Sequence, residues 1–117
     1  MSTIQRFGSN QRLSEAVVAK GFVFLSGMVP ESLDASVKTQ TEEVLAQIDQ
    51  WLEQCGSDKS HLLEATIFLT DMADYDEMNA AWDAWVDSNN APARACVQAL
   101  IAKPAWKVEI KLSALQK

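Results

Sequence analysis

The chain has 117 residues, of which 48% are hydrophobic, and its formal net charge is −6 at pH 7. This length and composition predict one globular domain, residues 1–117, built around a single core. The excess of acidic side chains argues against sequence-independent binding of nucleic acid, which needs clustered Lys and Arg, and against docking on an anionic membrane surface.

No apolar run approaches the roughly 20 residues that a transmembrane helix needs. The opening segment MSTIQRFGSNQR lacks the apolar core of a signal peptide. We therefore expect a cytoplasmic protein. Cys55 and Cys96 are far apart without CxxC spacing, and His61 is the single histidine, so no metal site built from His and Cys is expected.

The first half of the chain predicts two strands and a helix. QRLSEAVVA and GFVFLSGMV have the composition of strands, and Lys20-Gly21 between them is a turn signal. GMVPESLDAS has the composition of a loop. From Val37 to Cys55 the apolar residues recur at helical spacing, and Gly56 follows where a left-handed cap residue is favoured.

The second half predicts a strand, a helix and two further strands. LLEATIFLTDM is rich in β-forming residues. Asp74 begins DYDE, a pattern typical of a capping box, and predicts the start of the second helix. Asn89-Asn90 and Pro92 end that helix. The last two strands are expected at about 93–101 and 106–114, with AKPA between them as a short hairpin loop.

The resulting order, ββαβαββ, predicts an α+β fold. Two helices cannot cover both faces of a sheet this wide, so both are expected on one face of a mixed sheet. The other face is then either exposed to solvent or covered by something outside the chain.

The last two strands carry unusual side chains for an apolar sheet. In each strand polar residues alternate with apolar ones, and the apolar sets are expected to face the helices. The predicted helix-free face then carries Arg94, Cys96, Gln98, Lys107, Glu109 and Lys111. In a hairpin register this places the Arg94 and Glu109 side chains within roughly 10 Å of each other.

Two interpretations of this face remain open from the residues alone. In the first, the face is hydrated and Arg94 and Glu109 form a surface ion pair worth well under ~1 kcal/mol. In the second, another subunit covers the face, Arg94 binds a ligand carboxylate through its guanidinium, and Glu109 handles a proton or positions a water. Cys96 is expected to be a small buried filler and not a nucleophile, because no histidine lies near it in sequence.

Four segments resemble the RidA (YjgF) family of small imine and enamine deaminases, in particular its short YoaB-type branch. They are SGMVP at 26–30, ATIFLTDMADYDEMNAAWDAW at 65–85, APARACVQA at 91–99 and KVEIKLSA at 107–114. The resemblance implies a chorismate-mutase-like fold and a homotrimer. Its helix-free sheet faces would pack around a three-fold axis as a trimeric barrel core, with clefts between subunits.

The activity that the resemblance implies is cofactor-free, metal-free hydrolysis of 2-imino or enamine acids, such as 2-aminoacrylate and 2-iminobutyrate. The products are 2-keto acids and ammonia. By the same resemblance, Arg94 holds the substrate carboxylate and Glu109 is the acid/base that positions water. The other residues that the family pattern places in the cleft are Cys96, Ser26, Gly27 and Leu13. The implied partners are a small imino or keto acid and further copies of this chain.

Two positions depart from the family pattern. Leu13 stands where the family often has a tyrosine, and Met28 stands where a polar residue commonly follows the Ser-Gly pair. Both differences predict a more apolar pocket. They leave open a second function, that of a non-catalytic trimer that binds small carboxylates such as 2-keto acids. An RNA-cleaving or chaperone-like role is a third possibility within the family, and the charge of −6 argues against its nucleic-acid version.

Overall fold

The computed structural model describes residues 3–117 of the chain. Short 3-10 turns at Lys59–His61 and Met72–Asp74 precede β4 and α2. The strands and helices, in chain order, are β1 Ile4–Phe7, β2 Ala16–Ala19, β3 Phe22–Leu25, α1 Val37–Gln54, β4 Leu62–Leu69, α2 Tyr75–Trp85, β5 Ala93–Gln98 and β6 Val108–Leu115. The structure thus adds the edge strand β1 to the predicted order. Within the described residues, no helix is both long enough and apolar enough to cross a bilayer.

The strands form one six-stranded sheet in the order β1-β2-β3-β6-β4-β5. The β4–β5 pair is parallel and the other neighbouring pairs are antiparallel. Both helices pack on the same sheet face, where the apolar sides of α1 and α2 meet the inward residues of the sheet in one buried cluster. The predicted α+β sandwich, with two helices on one face of a mixed sheet, is confirmed.

Two local signals in the sequence have the predicted structural effect. Lys20 and Gly21 link β2 to β3 with φ of +52° and +83°, the left-handed conformation that two-residue hairpin loops favour. Helix α1 begins after Ser36, whose side chain accepts a hydrogen bond from the Thr39 backbone N–H. Gly56, with φ of +75°, follows its C-terminal end.

Helix α2 begins differently from the prediction. The Asp74 side chain makes no capping hydrogen bond. Instead, Asp71 accepts a hydrogen bond from the Ala73 backbone N–H at 2.9 Å and caps the 3-10 turn that leads directly into the helix. The predicted capping box at Asp74 is therefore wrong, because the helical path already begins one turn earlier.

The hairpin predicted for the last two strands is also wrong. Strand β5 pairs in parallel with β4 at the sheet edge, whereas β6 lies between β3 and β4. Because α2 returns the chain to the starting end of β4, β5 is added parallel to that strand. Residues 99–107 then cross the end of β4 and bring β6 into the centre of the sheet.

This pairing reverses the predicted faces of β5. Arg94 lies beside Ala65 and Cys96 lies beside Ile67. Ala65 and Ile67 are buried on the helix side of the sheet. Residues paired across neighbouring strands point to the same face of the sheet. Arg94 and Cys96 therefore point towards the helices and not towards the helix-free face. Gln98, two residues further along β5, points the same way.

Glu109 occupies the helix-free face, as predicted. It pairs with Phe68, which alternates with the buried residues of β4. Arg94 and Glu109 therefore point to opposite faces of the sheet, and the predicted common face is wrong for this pair. Lys107 precedes β6, and its ammonium donates to the Ala35 carbonyl at 3.0 Å, so it leaves the helix-free face as well.

The helix-free face carries an exposed apolar patch. Phe22 and Phe24 are 44% and 50% exposed, and their ring centroids lie 6.4 Å apart. The register places three more exposed apolar side chains on this face: Ile4, Val97 and Leu115. An apolar patch of this kind on one side of a sheet is typical of a surface that packs against another protein.

Candidate functional site

Arg94 lies on the edge strand β5 and is held against α2. Its Nη1 donates to Asn79 Oδ1 at 2.8 Å, and its Nη2 donates to Tyr75 Oη at 3.3 Å. The guanidinium carbon is 5.4 Å from the centroid of the Trp82 ring and 6.0 Å from that of Tyr75. We name Arg94, Asn79, Tyr75 and Trp82 the arginine half-site.

The spacing of three residues on α2 explains how the helix holds the guanidinium. Tyr75, Asn79 and Trp82 are separated by one turn each, so their side chains line the same side of the helix. Trp82 is buried in the core and fixes the helix in place. Neither Asn79 nor Tyr75 was singled out as a site residue from the sequence. The available signal was a polar residue, Asn79, beside the buried apolar residues of α2.

The charge of Arg94 is not neutralised by an ion pair. Its partners are an amide oxygen and a phenol oxygen, both neutral. Within residues 3–117 the ion pairs involve Asp58 with His61 and with Lys117, and none involves Arg94. A guanidinium has five N–H donors, so this one retains both charge and donors for an external anion.

Cys96 follows two residues after Arg94 on the same side of β5. It is half-buried and packs against the core. Burial raises the pKa of its thiol, and the nearby positive charge of Arg94 opposes that effect only in part. The thiol is therefore protonated at neutral pH, which supports its interpretation as a filler and not as a nucleophile.

Glu109 lies in close contact with the backbone at Gly27. A Cβ added to Gly27 would lie 2.8 Å from Glu109 Cδ and would overlap its Oε2. Burial raises the pKa of the Glu109 carboxyl. Within residues 3–117 neither Lys107 nor Lys111 forms an ion pair with it. We name Glu109, Gly27 and Ser26 the glutamate half-site.

Ser26 joins the glutamate half-site to the loop between β1 and β2, which carries Leu13. The Ser26 hydroxyl donates to the Ser14 carbonyl at 2.6 Å. Its proton is therefore engaged in this hydrogen bond, while its oxygen can still accept one from another group. Leu13, one residue before Ser14, is 43% exposed. Its backbone N–H donates to Asn10 Oδ1 at 3.0 Å, within the loop between β1 and β2. The loop that Ser26 binds thus carries an exposed apolar side chain next to Ser14.

Met28 does not line either half-site. Its backbone pairs with Ile110 in an isolated bridge, and its side chain is buried in the core. The prediction that Met28 makes the pocket more apolar is therefore wrong, because the chain turns this side chain to the helix side, as it does Ile110.

The two half-sites of one chain cannot act on the same small molecule. Strand β4 separates β5 from β6, which places Arg94 and Glu109 on strands about 10 Å apart at ~4.8 Å per neighbour. Their side chains also point to opposite faces. A small ligand that touches both residues must therefore lie between two copies of the chain.

Metal ligation finds no support in the side-chain arrangement. Within the part of the chain that the structure describes, no group of three or more His, Cys, Asp or Glu side chains could hold a metal ion.

Residues 3–116 match the family model described as Endoribonuclease L-PSP. The chain is 49% identical over 112 residues to the RutC family protein YoaB of Escherichia coli, which covers 96% of this chain and 97% of that protein. It is 34% identical over 104 residues to Reactive Intermediate Deaminase A, chloroplastic, of Arabidopsis thaliana, covering 84% of this chain and 55% of that protein. The crystal structure of a YjgF family member from Neisseria meningitidis has 56% sequence identity and a TM-score of 0.96, over 98% of this chain and 96% of that one. The chain therefore belongs to the RidA (YjgF) family, and its similarity to YoaB agrees with the branch predicted from its sequence.

Proposed function

We propose that the protein is a cofactor-free deaminase that hydrolyses 2-imino and enamine acids to 2-keto acids and ammonia. The observation that carries this proposal is the state of Arg94, a guanidinium held in place by neutral groups and without a carboxylate partner in residues 3–117. Such a group binds an external carboxylate through two parallel hydrogen bonds. The similarity to a plant protein named as a reactive intermediate deaminase supports the same reaction class.

The proposed site forms between subunits of a homotrimer. The helix-free faces pack around a three-fold axis and bury the exposed rings of Phe22 and Phe24. Arg94 of one subunit then shares a cleft with Glu109 of the next. The separation of the two half-sites on opposite faces of one sheet supports this arrangement, since neither half can complete the site alone.

In the proposed reaction the substrate carboxylate binds Arg94, which fixes the imine carbon near Glu109. The Glu109 carboxylate accepts a proton from a water molecule while the water oxygen bonds to the imine carbon and the C=N electron pair moves to nitrogen. Protonated Glu109 returns the proton to the amine nitrogen. The carbinolamine hydroxyl then passes its proton through Glu109 to the amine, the C–N bond breaks, ammonia leaves, and the oxygen electron pair forms the C=O bond of the ketone. An enamine first takes up a proton at carbon and loses one from nitrogen, both exchanged with water, and enters as the imine.

The residues of the chain can account for the required rate effects. Holding the carboxylate and the water in place lowers the activation free energy by several kcal/mol, and by about 7 or more in the best-oriented systems. General acid–base catalysis contributes a further ~10²–10⁴-fold. The raised pKa of the Glu109 carboxyl makes it a stronger base than an ordinary glutamate.

The proposal is tested by generating 2-aminoacrylate or 2-iminobutyrate in situ with a dehydratase and following the release of keto acid. The wild-type protein should accelerate release, and Arg94→Ala should remove most of the acceleration. Lys38→Ala, on the exposed side of α1 and outside both half-sites, is the matched control and should act as wild type. No acceleration by the wild-type protein, or full acceleration by Arg94→Ala, would contradict the proposal.

A non-catalytic trimer that binds 2-keto acids is the second candidate function. The observation that favours it is Leu13, an exposed apolar side chain in the loop that the Ser26 hydroxyl binds. In a cleft, this side chain could neither donate a proton nor hydrogen-bond to a water. Calorimetry that shows Arg94-dependent binding of 2-ketobutyrate, together with an absence of imine hydrolysis, would select this function over the deaminase.

A further inference from the structure

The hydroxyl of Tyr75 is a polar group that the proposed reaction does not yet use. Tyr75 Oη lies 3.3 Å from Arg94 Nη2. A guanidinium carries donors and no acceptor, so the phenol oxygen accepts in this hydrogen bond. The phenol proton is therefore free to be donated elsewhere. Within residues 3–117 this is the only hydrogen bond that the Tyr75 side chain makes.

Tyr75 is placed where a ligand on Arg94 would meet it. It is the first residue of α2, and its side chain is 37% exposed. Asn79, one turn further along the helix, is less exposed and binds the other guanidinium nitrogen through its oxygen. Asn79 thus secures Arg94 from the inner side, while the Tyr75 hydroxyl stands beside it on the side that solvent reaches.

We propose that Tyr75 is a second substrate-binding residue, whose hydroxyl donates to the same ligand carboxylate that Arg94 binds. The inference rests on the proposed function and adds a second carboxylate-binding residue to its site. Arg94 supplies the charged donors and Tyr75 supplies a neutral one. Hydrogen bonds to an ionised acceptor are stronger than those between neutral groups.

The chemistry of the reaction predicts which kinetic constant Tyr75 affects. The substrate carboxylate keeps its charge throughout hydrolysis, so the Tyr75 hydrogen bond is equally strong in the ground state and in the transition state. An interaction of this kind raises affinity and lowers KM without raising kcat. A group that acted on the imine nitrogen or on the water would instead change kcat.

The test uses Tyr75→Phe, which removes the hydroxyl and keeps the ring beside the guanidinium. The dissociation constant of 2-ketobutyrate, measured by calorimetry, and the KM for 2-iminobutyrate should both rise about fivefold to twentyfold. The value of kcat should stay within about twofold. In an Arg94→Gln background the same substitution should have a clearly smaller effect on keto-acid affinity, because the two residues act on one carboxylate.

Each other outcome overturns the inference. Unchanged affinity and KM in Tyr75→Phe would remove the proposed hydrogen bond, and a fall in kcat at constant KM would assign Tyr75 to the chemical step. The binding measurement needs no turnover, so it separates the two proposals. If the wild-type protein binds 2-ketobutyrate but hydrolyses no imine, the deaminase proposal fails. The dissociation constants of the wild type and Tyr75→Phe then still test the inference about Tyr75. If it neither binds 2-ketobutyrate nor hydrolyses the imine, both proposals fail. If it hydrolyses the imine without measurable keto-acid binding, the KM of Tyr75→Phe decides the inference about Tyr75.

Discussion

Glu109 is a half-buried carboxylate without a cationic partner in residues 3–117. Burial without compensation disfavours the ionised form, and this is why the pKa of Glu109 is raised. A residue placed so unfavourably for stability is a candidate for function. The contact with Gly27 shows that the backbone leaves room for this carboxylate.

Replacing Glu109 by glutamine should have opposite effects on activity and on stability. The kcat/KM for 2-iminobutyrate should fall about 10²–10⁴-fold. The wild-type activity should decline at low pH with a midpoint above that of an ordinary glutamate, because the base must be ionised. The Glu109→Gln variant should lack this decline.

The stability effect follows from the same raised pKa. The folded state binds the Glu109 proton more tightly than the unfolded state, so the group favours folding at low pH and this contribution is lost as pH rises through its folded pKa. Glu109→Gln should therefore raise the free energy of unfolding at pH 7, and the difference should disappear below the pKa of an ordinary glutamate. Denaturant titrations of the wild type and Glu109→Gln, at pH 7 and at a pH below the pKa of an ordinary glutamate, measure this difference. A variant less stable than wild type at pH 7 would contradict this assignment.

Gly27→Ala should impair activity more than stability. The added Cβ would overlap the end of the Glu109 side chain, which is flexible and can move away, and it meets no backbone atom among its nearest contacts. The displaced carboxylate should lower kcat/KM by about 10²-fold or more, while the melting temperature stays within a few degrees. Thermal melts and the imine assay check both parts. Wild-type kcat/KM in Gly27→Ala would show that the position of Glu109 against Gly27 has no catalytic role.

At the scale of the elements, one side chain of α1 fixes two loops. Gln40 is fully buried. Its Nε2 donates to the Ser32 carbonyl at 2.9 Å and to the Ala105 carbonyl at 3.0 Å, and its Oε1 accepts from the Lys107 backbone N–H at 2.9 Å. It therefore holds the loop after Met28 and the connection from β5 to β6, which lead to the two half-sites.

Gln40→Leu should lower the free energy of unfolding by about 3–5 kcal/mol, because three backbone groups lose their partner in a buried place. Gln47→Leu is the matched control on the same helix, since Gln47 makes a single bond, from Nε2 to the Val29 carbonyl at 2.9 Å. It should cost about 0.5–1.5 kcal/mol. Denaturant titrations at equal protein concentration compare them. Equal losses in the two variants would contradict the role given to Gln40.

The elements themselves could be predicted from the sequence because their signals are local. The Lys20-Gly21 turn and the helical spacing after Val37 each specify a structure within a few residues. The edge strand β1 was missed because IQRF is too short to show a strand pattern.

The order and facing of the last strands could not be predicted, because strand order depends on long-range pairing. In β5 the small residues Ala93 and Ala95 fit an exposed face as well as a buried one, so the apolar pattern did not determine which side faces the helices. The residues alone left Arg94 and Glu109 open as a surface ion pair or as a ligand site, and the family resemblance favoured the ligand site. Their placement on opposite faces is visible only in the structure.

At the scale of the whole molecule, one chain carries two incomplete half-sites and an exposed apolar sheet face. The arginine half-site lies at the outer edge of the sheet against α2, and the glutamate half-site lies on the side without helices. Association through the patch around Phe22 and Phe24 would bury exposed apolar surface and, in the trimer that we propose, join complementary halves. A change that prevents association through this patch would then abolish both the trimer and the deaminase activity.

Mixing subunits tests this central claim most directly. Arg94→Ala and Glu109→Gln should each be nearly inactive alone. When the two chains are co-refolded in equal amounts, a cleft is intact wherever Arg94 comes from a Glu109→Gln chain and Glu109 from an Arg94→Ala chain. Random assembly of a cyclic trimer makes roughly a quarter of the clefts intact, so about a quarter of the wild-type deaminase activity should return. If both residues served the same site from within one chain, mixing would restore nothing, and that result would contradict the account.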